Sequence, residues 1–313
     1  MSHHFQSISF QGMRPGKRLI ILGGVHGNEP CGTVAIRRIL DELERGTLTI
    51  ESGSVTFVPV CNPLARSQYT RMGERNLNRR LVPTDFPQQF EDYVANWLCP
   101  LLSSHDVLLD LHSFHTPGRP FAMLGPRNNQ GDLEPFTHEA EEEALARHLG
   151  VELFVDGWLD TYASGVRRRQ QMSGCDEQDV QYGVGTTEYM RRQGGYGLTL
   201  ECGQHEDTAA PEVAYRAILN TLAWLGLSGQ VKPTEAANRT TLRLFEVVDR
   251  ESPDDRLARG WRSFERLEAG ELIGIRADGE ELRAQEAAHI VFPNPDAEPG
   301  CEWFYLARAV DRV

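Results

Sequence analysis

The chain has 313 residues, 40% of them hydrophobic, and a formal net charge of −13 at pH 7. That acidic excess argues against nucleic acid as a general partner, because phosphate backbones recruit lysine and arginine. No apolar run reaches the ~18 residues a membrane span needs, and the start, Met1-Ser2-His3-His4-Phe5-Gln6, shows no basic stretch followed by an apolar one, so a cytoplasmic protein is expected.

In chain order, residues 18–23 read as a buried strand that runs into Gly23-Gly24-Val25-His26-Gly27-Asn28-Glu29. The glycines permit a sharp turn, and Pro30 suits the first turn of a helix over 31–45. His26 and Glu29 therefore stand at the carboxyl end of a strand, where open α/β sheets bind ligands. An imidazole and a carboxylate held this close supply two of the three ligands of a catalytic zinc. A second strand, 54–60, is followed by Asn62-Pro63 and a cationic stretch with Arg71, Arg75, Asn76, Asn78, Arg79 and Arg80. Amides interleaved with guanidiniums offer directed donors to a carboxylate, and a separate arginine can stabilise an oxyanion.

A helix is expected over 88–102, then a strand over 107–111 that ends on His112. Asp110 lies on the same side of that strand and can take the other ring nitrogen of His112. His26, Glu29 and His112 then form a two-histidine, one-glutamate set with an open fourth position. Strands at 121–124 and 153–155 and a helix at 135–149 follow, inside a less regular region, 117–193, read in part as loops around a site. The strand 198–201 ends on Glu201, a carboxylate at the rim of a desolvated site and so suited to act as a general base. His205, Glu206 and Asp207 read as a solvated loop, and His105, His115, His138, His148 and His289 as ordinary hydrogen-bonded histidines.

After a helix at 211–225, residues 228–238 read as a linker. Short β-type runs follow at 241–248, 272–276, 288–292 and 303–307. The predicted architecture is α/β: a three-layer, doubly wound, mostly parallel (mixed) sheet in residues 1–230, then a small all-β domain in 231–313. Cysteines 31, 61, 99, 175, 202 and 301 form no C-x-x-C pair and are expected as free thiols, Cys202 in the core.

The motifs G-G-V-H-G-N-E, N-P, R-x-x-x-x-N-L-N-R, D-L-H and L-T-L-E-C-G occur in that order, and the chain resembles the succinylglutamate desuccinylase/aspartoacylase family. The resemblance implies one zinc ion on His26, Glu29 and His112, with Glu201 as the base and Arg71 polarising the scissile carbonyl. Asn78 and Arg79 would bind the substrate carboxylate, helped by Arg191 or its neighbour Arg192. It further implies a sheet of the zinc-carboxypeptidase type, hydrolysis of a small anionic N-acyl amino acid of the aspartate or glutamate type, and a C-terminal β domain that partly covers the site. A homo-oligomer is compatible with this reading. The family commonly has an acidic residue where this chain has Asn76. A metallocarboxypeptidase acting on peptides, or a non-catalytic metal-binding protein, would share the ligand set.

Overall fold

The computed structural model describes residues 4–173, 179–230, 232, 233 and 235–313; Cys175 lies outside them. The strands are β1 (Ile8–Gln11), β2 (Arg14–Leu22), β3 (Ser52–Val58), β4 (Val107–Phe114), β5 (Phe121–Met123), β6 (Leu153–Asp156) and β7 (Tyr196–Gln204), continued by β8 (Thr240–Asp249), β9 (Arg256–Leu257), β10 (Glu265–Leu267), β11 (Leu272–Ile275), β12 (Glu281–Arg283), β13 (Ala288–Val291) and β14 (Glu302–Val310). The helices are α1 (Pro30–Glu44), α2 (Pro63–Gln68), α3 (Phe90–Ser103), α4 (Glu139–His148), α5 (Trp158–Ser173), α6 (Thr186–Arg192) and α7 (Ala210–Trp224).

Eleven strands join in one mixed sheet, in the order β1-β3-β2-β4-β7-β5-β6-β8-β14-β13-β10. Its centre is parallel: β2 pairs with β3 and β4, and β4 with β7. These strands are apolar on both sides because helices cover both faces. The period of two divides β2 cleanly. Leu19 and Ile21 face α1 and α7 with Ile36, Ile39, Ala214 and Ile218, whereas Ile20 and Leu22 face α3 with Val94, Leu98 and Leu102. Burying each such side chain contributes about 1.5–3 kcal/mol.

The β-type runs of the C-terminal region are strands, antiparallel to one another, but most of them do not form a separate sheet. β8 pairs in parallel with β6, so β8, β14, β13 and β10 extend the central sheet, and only β12-β11-β9 stand apart. One apolar cluster crosses the junction, with Phe121, Leu153 and Val155 against Leu242, Leu244 and Val247. The region 117–193 is also more regular than expected. It contains β5, α4, β6, α5 and α6.

Candidate active site

The turn after β2 is shaped by backbone crowding. Gly24 has φ +58°, and a Cβ on Gly27 would lie 2.0 Å from the Ala65 backbone, so only glycine permits this approach to α2. Pro30 opens α1 behind it, and Glu29 occupies the N-cap position without making a side-chain cap. Its carboxylate turns instead toward the carboxyl edge of the sheet, where β4 delivers His112.

The three predicted ligands converge. His26 Nδ1 lies 2.8 Å from Glu29 Oε1, His112 Nδ1 lies 2.9 Å from Glu29 Oε2, and the imidazole centroids are 5.0 Å apart. One ligand atom from each residue falls within 4.8 Å of the others, and all three side chains are buried. The far nitrogen of each ring is backed, His112 Nε2 by Asp110 Oδ2 at 2.9 Å and His26 Nε2 by Asn76 Oδ1 at 3.1 Å. Ser113 N–H and Arg71 Nη1 donate to Glu29 at 3.1 and 3.3 Å. Thr186 Oγ1 hydrogen-bonds Asp110 from α6.

Burial, with Arg71 nearby, pushes the His26 imidazole down to about 4, so its lone pair is available. Burial also disfavours a charge on His112, but Asp110 and Glu29 outweigh it and hold that imidazole well above its ordinary value. Glu29 is held well below the usual carboxylate range despite its burial, because His26 and His112 face it.

A two-nitrogen, one-carboxylate set with both rings backed from behind fits a zinc ion. Among the described residues no fourth protein ligand joins the set, which is the arrangement of an open site and not of a structural one.

Glu201 is the register partner of His112 on the neighbouring strand, so both side chains rise from one face of the sheet. Its Oε2 is buried without a hydrogen-bond partner, and burial together with the charge of Glu29 pushes the carboxyl up to about 8.

These groups line a cavity of about 440 Å³ that also receives Arg71, Asn78 and Arg79. Asn78 Oδ1 accepts the Thr186 N–H at 2.9 Å, and its own N–H donates to Asn76 Oδ1 at 2.9 Å. Asn76, the departure from the family pattern, therefore ties His26, a predicted ligand, to the Asn78-Arg79 segment. The neighbouring arginines are held otherwise, Arg75 by Asp92 at 2.9 Å and Arg79 with its guanidinium 4.9 Å from the Trp158 ring.

Arg191 departs from expectation. Its side chain is 2% exposed, Nε and Nη2 hold Glu142 at 2.8 and 3.1 Å, Nη1 holds Glu134 at 2.8 Å, and Nη2 also reaches Gly197 O. Although it borders the cavity, four of its five N–H donors are taken by the protein. Arg192 is turned away to Leu133 O and Gln181. Both were legible as cations near Glu201; the glutamates that claim Arg191 lie about 50 residues away in sequence.

Other wall residues carried no sequence signal. His205, expected in a solvated loop, lies with Nδ1 2.9 Å from Ser113 Oγ and lines the cavity, as does His115. The roof comes from the C-terminal strands and their loops, with Phe292, Asn294, Asp296, Glu302 and Tyr305. His105 and His148 are ordinary, each bonded to a helix carbonyl four residues back. Cys31, Cys61, Cys99 and Cys202 are buried free thiols, and Cys301 is exposed.

Fold and site together define an α/β protein with a set of side chains fit for a metal on the carboxyl edge of its sheet. A profile of the succinylglutamate desuccinylase/aspartoacylase catalytic domain matches residues 15–219, and the chain belongs to that family of deacylases. Among solved structures, a succinylglutamate desuccinylase/aspartoacylase from Rhodobacter sphaeroides superposes with TM-score 0.72 at 20% identity, covering 98% of this chain and 90% of the other. The product-bound ectoine utilization protein of Ruegeria pomeroyi gives TM-score 0.71 at 18% identity, with 96% and 88% covered. An aspartoacylase family protein from Mesorhizobium loti gives 0.67 at 22% identity, with 98% and 90% covered. At these identities the likeness is one of fold. No curated protein matches the sequence. Among the described residues no helix is long and apolar enough to cross a membrane.

Proposed function

We propose that the protein is a zinc-dependent amidohydrolase that cleaves the amide bond of an N-acyl amino acid, releasing a carboxylic acid and the amino acid. The observation that carries this reading is Glu201, a buried carboxylate with an unpartnered oxygen, rising beside His112 and outside the ligand set. Such a group is free to move a proton, which a purely structural metal site does not need.

His26, Glu29 and His112 would hold the zinc, which supplies Lewis acidity when bound. Glu201 takes a proton from the attacking water and delivers it to the leaving nitrogen. Arg71, half-exposed and leaning on Glu29, donates to the carbonyl oxygen as charge builds there. Asn78 and Arg79 hold the substrate carboxylate. The roof over a cavity of about 440 Å³ suits a small substrate better than a peptide. Buried free thiols agree with a reducing, cytoplasmic setting.

The test is amine release from N-acetyl, N-formyl and N-succinyl amino acids, with and without a chelator. Glu201→Gln should lower turnover about 10²- to 10⁴-fold while the metal content stays that of the wild type. Near-normal turnover in this variant would refute the base assignment.

A further inference from the structure

We propose that the metal ligands and the residues that grip the substrate carboxylate form one coupled unit, joined by Thr186, a positioning residue that serves both. This coupling rests on the amidohydrolase reading above and links its two binding sites.

A ring of hydrogen bonds closes on itself around the site. His26 Nε2 meets Asn76 Oδ1 at 3.1 Å, and the same oxygen accepts the Asn78 N–H at 2.9 Å. Asn78 Oδ1 in turn accepts the Thr186 N–H at 2.9 Å. The Thr186 hydroxyl donates to Asp110 Oδ2, and that oxygen also backs His112 Nε2 at 2.9 Å. Glu29 completes the circuit, with one carboxylate oxygen on each imidazole. The members come from separate parts of the chain: the turn after β2, the segment between α2 and α3, the start of α6, and β4.

Each link fixes what an atom can do. The oxygen of the Asn76 amide can only accept, so His26 carries its proton on Nε2 and keeps Nδ1 as the ligand atom. Thr186 is the first residue of α6, where backbone N–H groups lack partners within the helix, and Asn78 Oδ1 satisfies one of them. With its oxygen spent, the Asn78 amide has only its NH2 to offer a carboxylate. A Cβ on Gly185 would lie 2.1 Å from Asn78 Oδ1, so this approach requires glycine there. Asp110 depends on Thr186 as well. Both residues are 0% exposed and Asp110 Oδ1 has no partner, so among the described residues the Thr186 hydroxyl and His112 are what hold the carboxylate. In a buried ring solvent does not replace a lost bond, and displacing one member shifts the next. A carboxylate that engages Asn78 therefore steadies both imidazoles, and a metal on the imidazoles steadies Asn78, so that each raises the affinity for the other.

The experiment measures zinc affinity of the full chain by competition with a chromogenic chelator, and kcat and KM at saturating zinc for the best of the N-acyl amino acids tested above. Thr186→Val removes the hydroxyl at nearly constant volume. It should weaken zinc about 10-fold and act at saturating zinc more on KM than on kcat, and Thr186→Ser should restore both. Asn78→Ala touches no predicted ligand, yet it opens the ring and should weaken zinc about 5-fold or more. Thr221→Val is the control, since Thr221 is equally buried and its hydroxyl donates to Ala217 O at 2.7 Å within α7. It should leave zinc affinity at the wild-type value. Zinc affinity unmoved in Thr186→Val or in Asn78→Ala would overturn the proposal, because the two sites would then be independent. So would an equal loss in Thr221→Val, which would make the effect one of general stability. The zinc competition needs no substrate. If no N-acyl amino acid is cleaved, the amidohydrolase reading fails, while the zinc affinities still decide the ring.

Discussion

Two buried charged clusters border the same cavity and are assembled in opposite proportions. At the turn after β2, one carboxylate, Glu29, faces two imidazoles and a guanidinium. At the foot of α6, one guanidinium, Arg191, faces Glu142, Glu134 and, at 3.8 Å, Glu188. The second cluster satisfies itself, since every carboxylate in it has donors inside the protein. The first brings metal-ligating atoms of three side chains together, an arrangement that a shared cation would complete. Proximity to the cavity does not separate the two clusters; the count of uncommitted donors and acceptors does.

The hardest way to break this contrast is His112→Ala. Loss of one ligand should empty the site of metal and lower amide hydrolysis about 10³-fold or more, read by metal analysis and turnover together. Arg191→Met strikes the other cluster. It strands Glu142 in the interior without its cation and should cost about 3–5 kcal/mol of stability, seen as a lower urea midpoint. A substrate clamp would instead raise KM with the midpoint unchanged. Asp110→Asn acts one step behind the ligand set by weakening the support of His112, and should lower metal affinity about 10- to 100-fold in a competition with a chromogenic chelator.

The smallest effect is expected at Glu134. Burial first, then Glu188 and Glu142 against the opposing pull of Arg191, push this carboxyl from the ordinary 4.5 to about 7. The folded value lies above the unfolded one. The stability it contributes is therefore fully present below pH 4.5 and lost as pH rises through about 7. Glu134→Gln keeps the carbonyl acceptor for Arg191 but never ionises. Urea midpoints should show the variant equal to or slightly more stable than wild type at pH 8.5, and less stable at pH 4.5. A large loss at pH 8.5 would mean that Glu134 is needed as an anion.

The convergence of His26, Glu29 and His112 was legible because a glycine turn and two strand ends announce themselves locally, and the run Leu19-Ile20-Ile21-Leu22 marked a strand buried on both faces. The role of Arg191 was not, because the glutamates that neutralise it come from other elements. Helix α5 was also hidden. Its buried Leu159, Tyr162, Ala163 and Val166 follow helical spacing, but the arginines and glutamines around them lower the apolar signal. The C-terminal strands were recognised as strands, yet their attachment to β6 depends on a pairing between residues 153–156 and 240–243 that no local pattern contains. The roof residues Glu302 and Tyr305 escaped for the same reason.

That attachment has a consequence for how molecules enter and leave. The roof is joined to the floor by a continuous ladder of backbone hydrogen bonds and by a shared apolar cluster. Swinging it aside as a rigid flap would tear that ladder. Access to the cavity is therefore left to the loops and side chains at its mouth, such as the Phe292–Asp296 loop, and not to a hinge between sheet and roof.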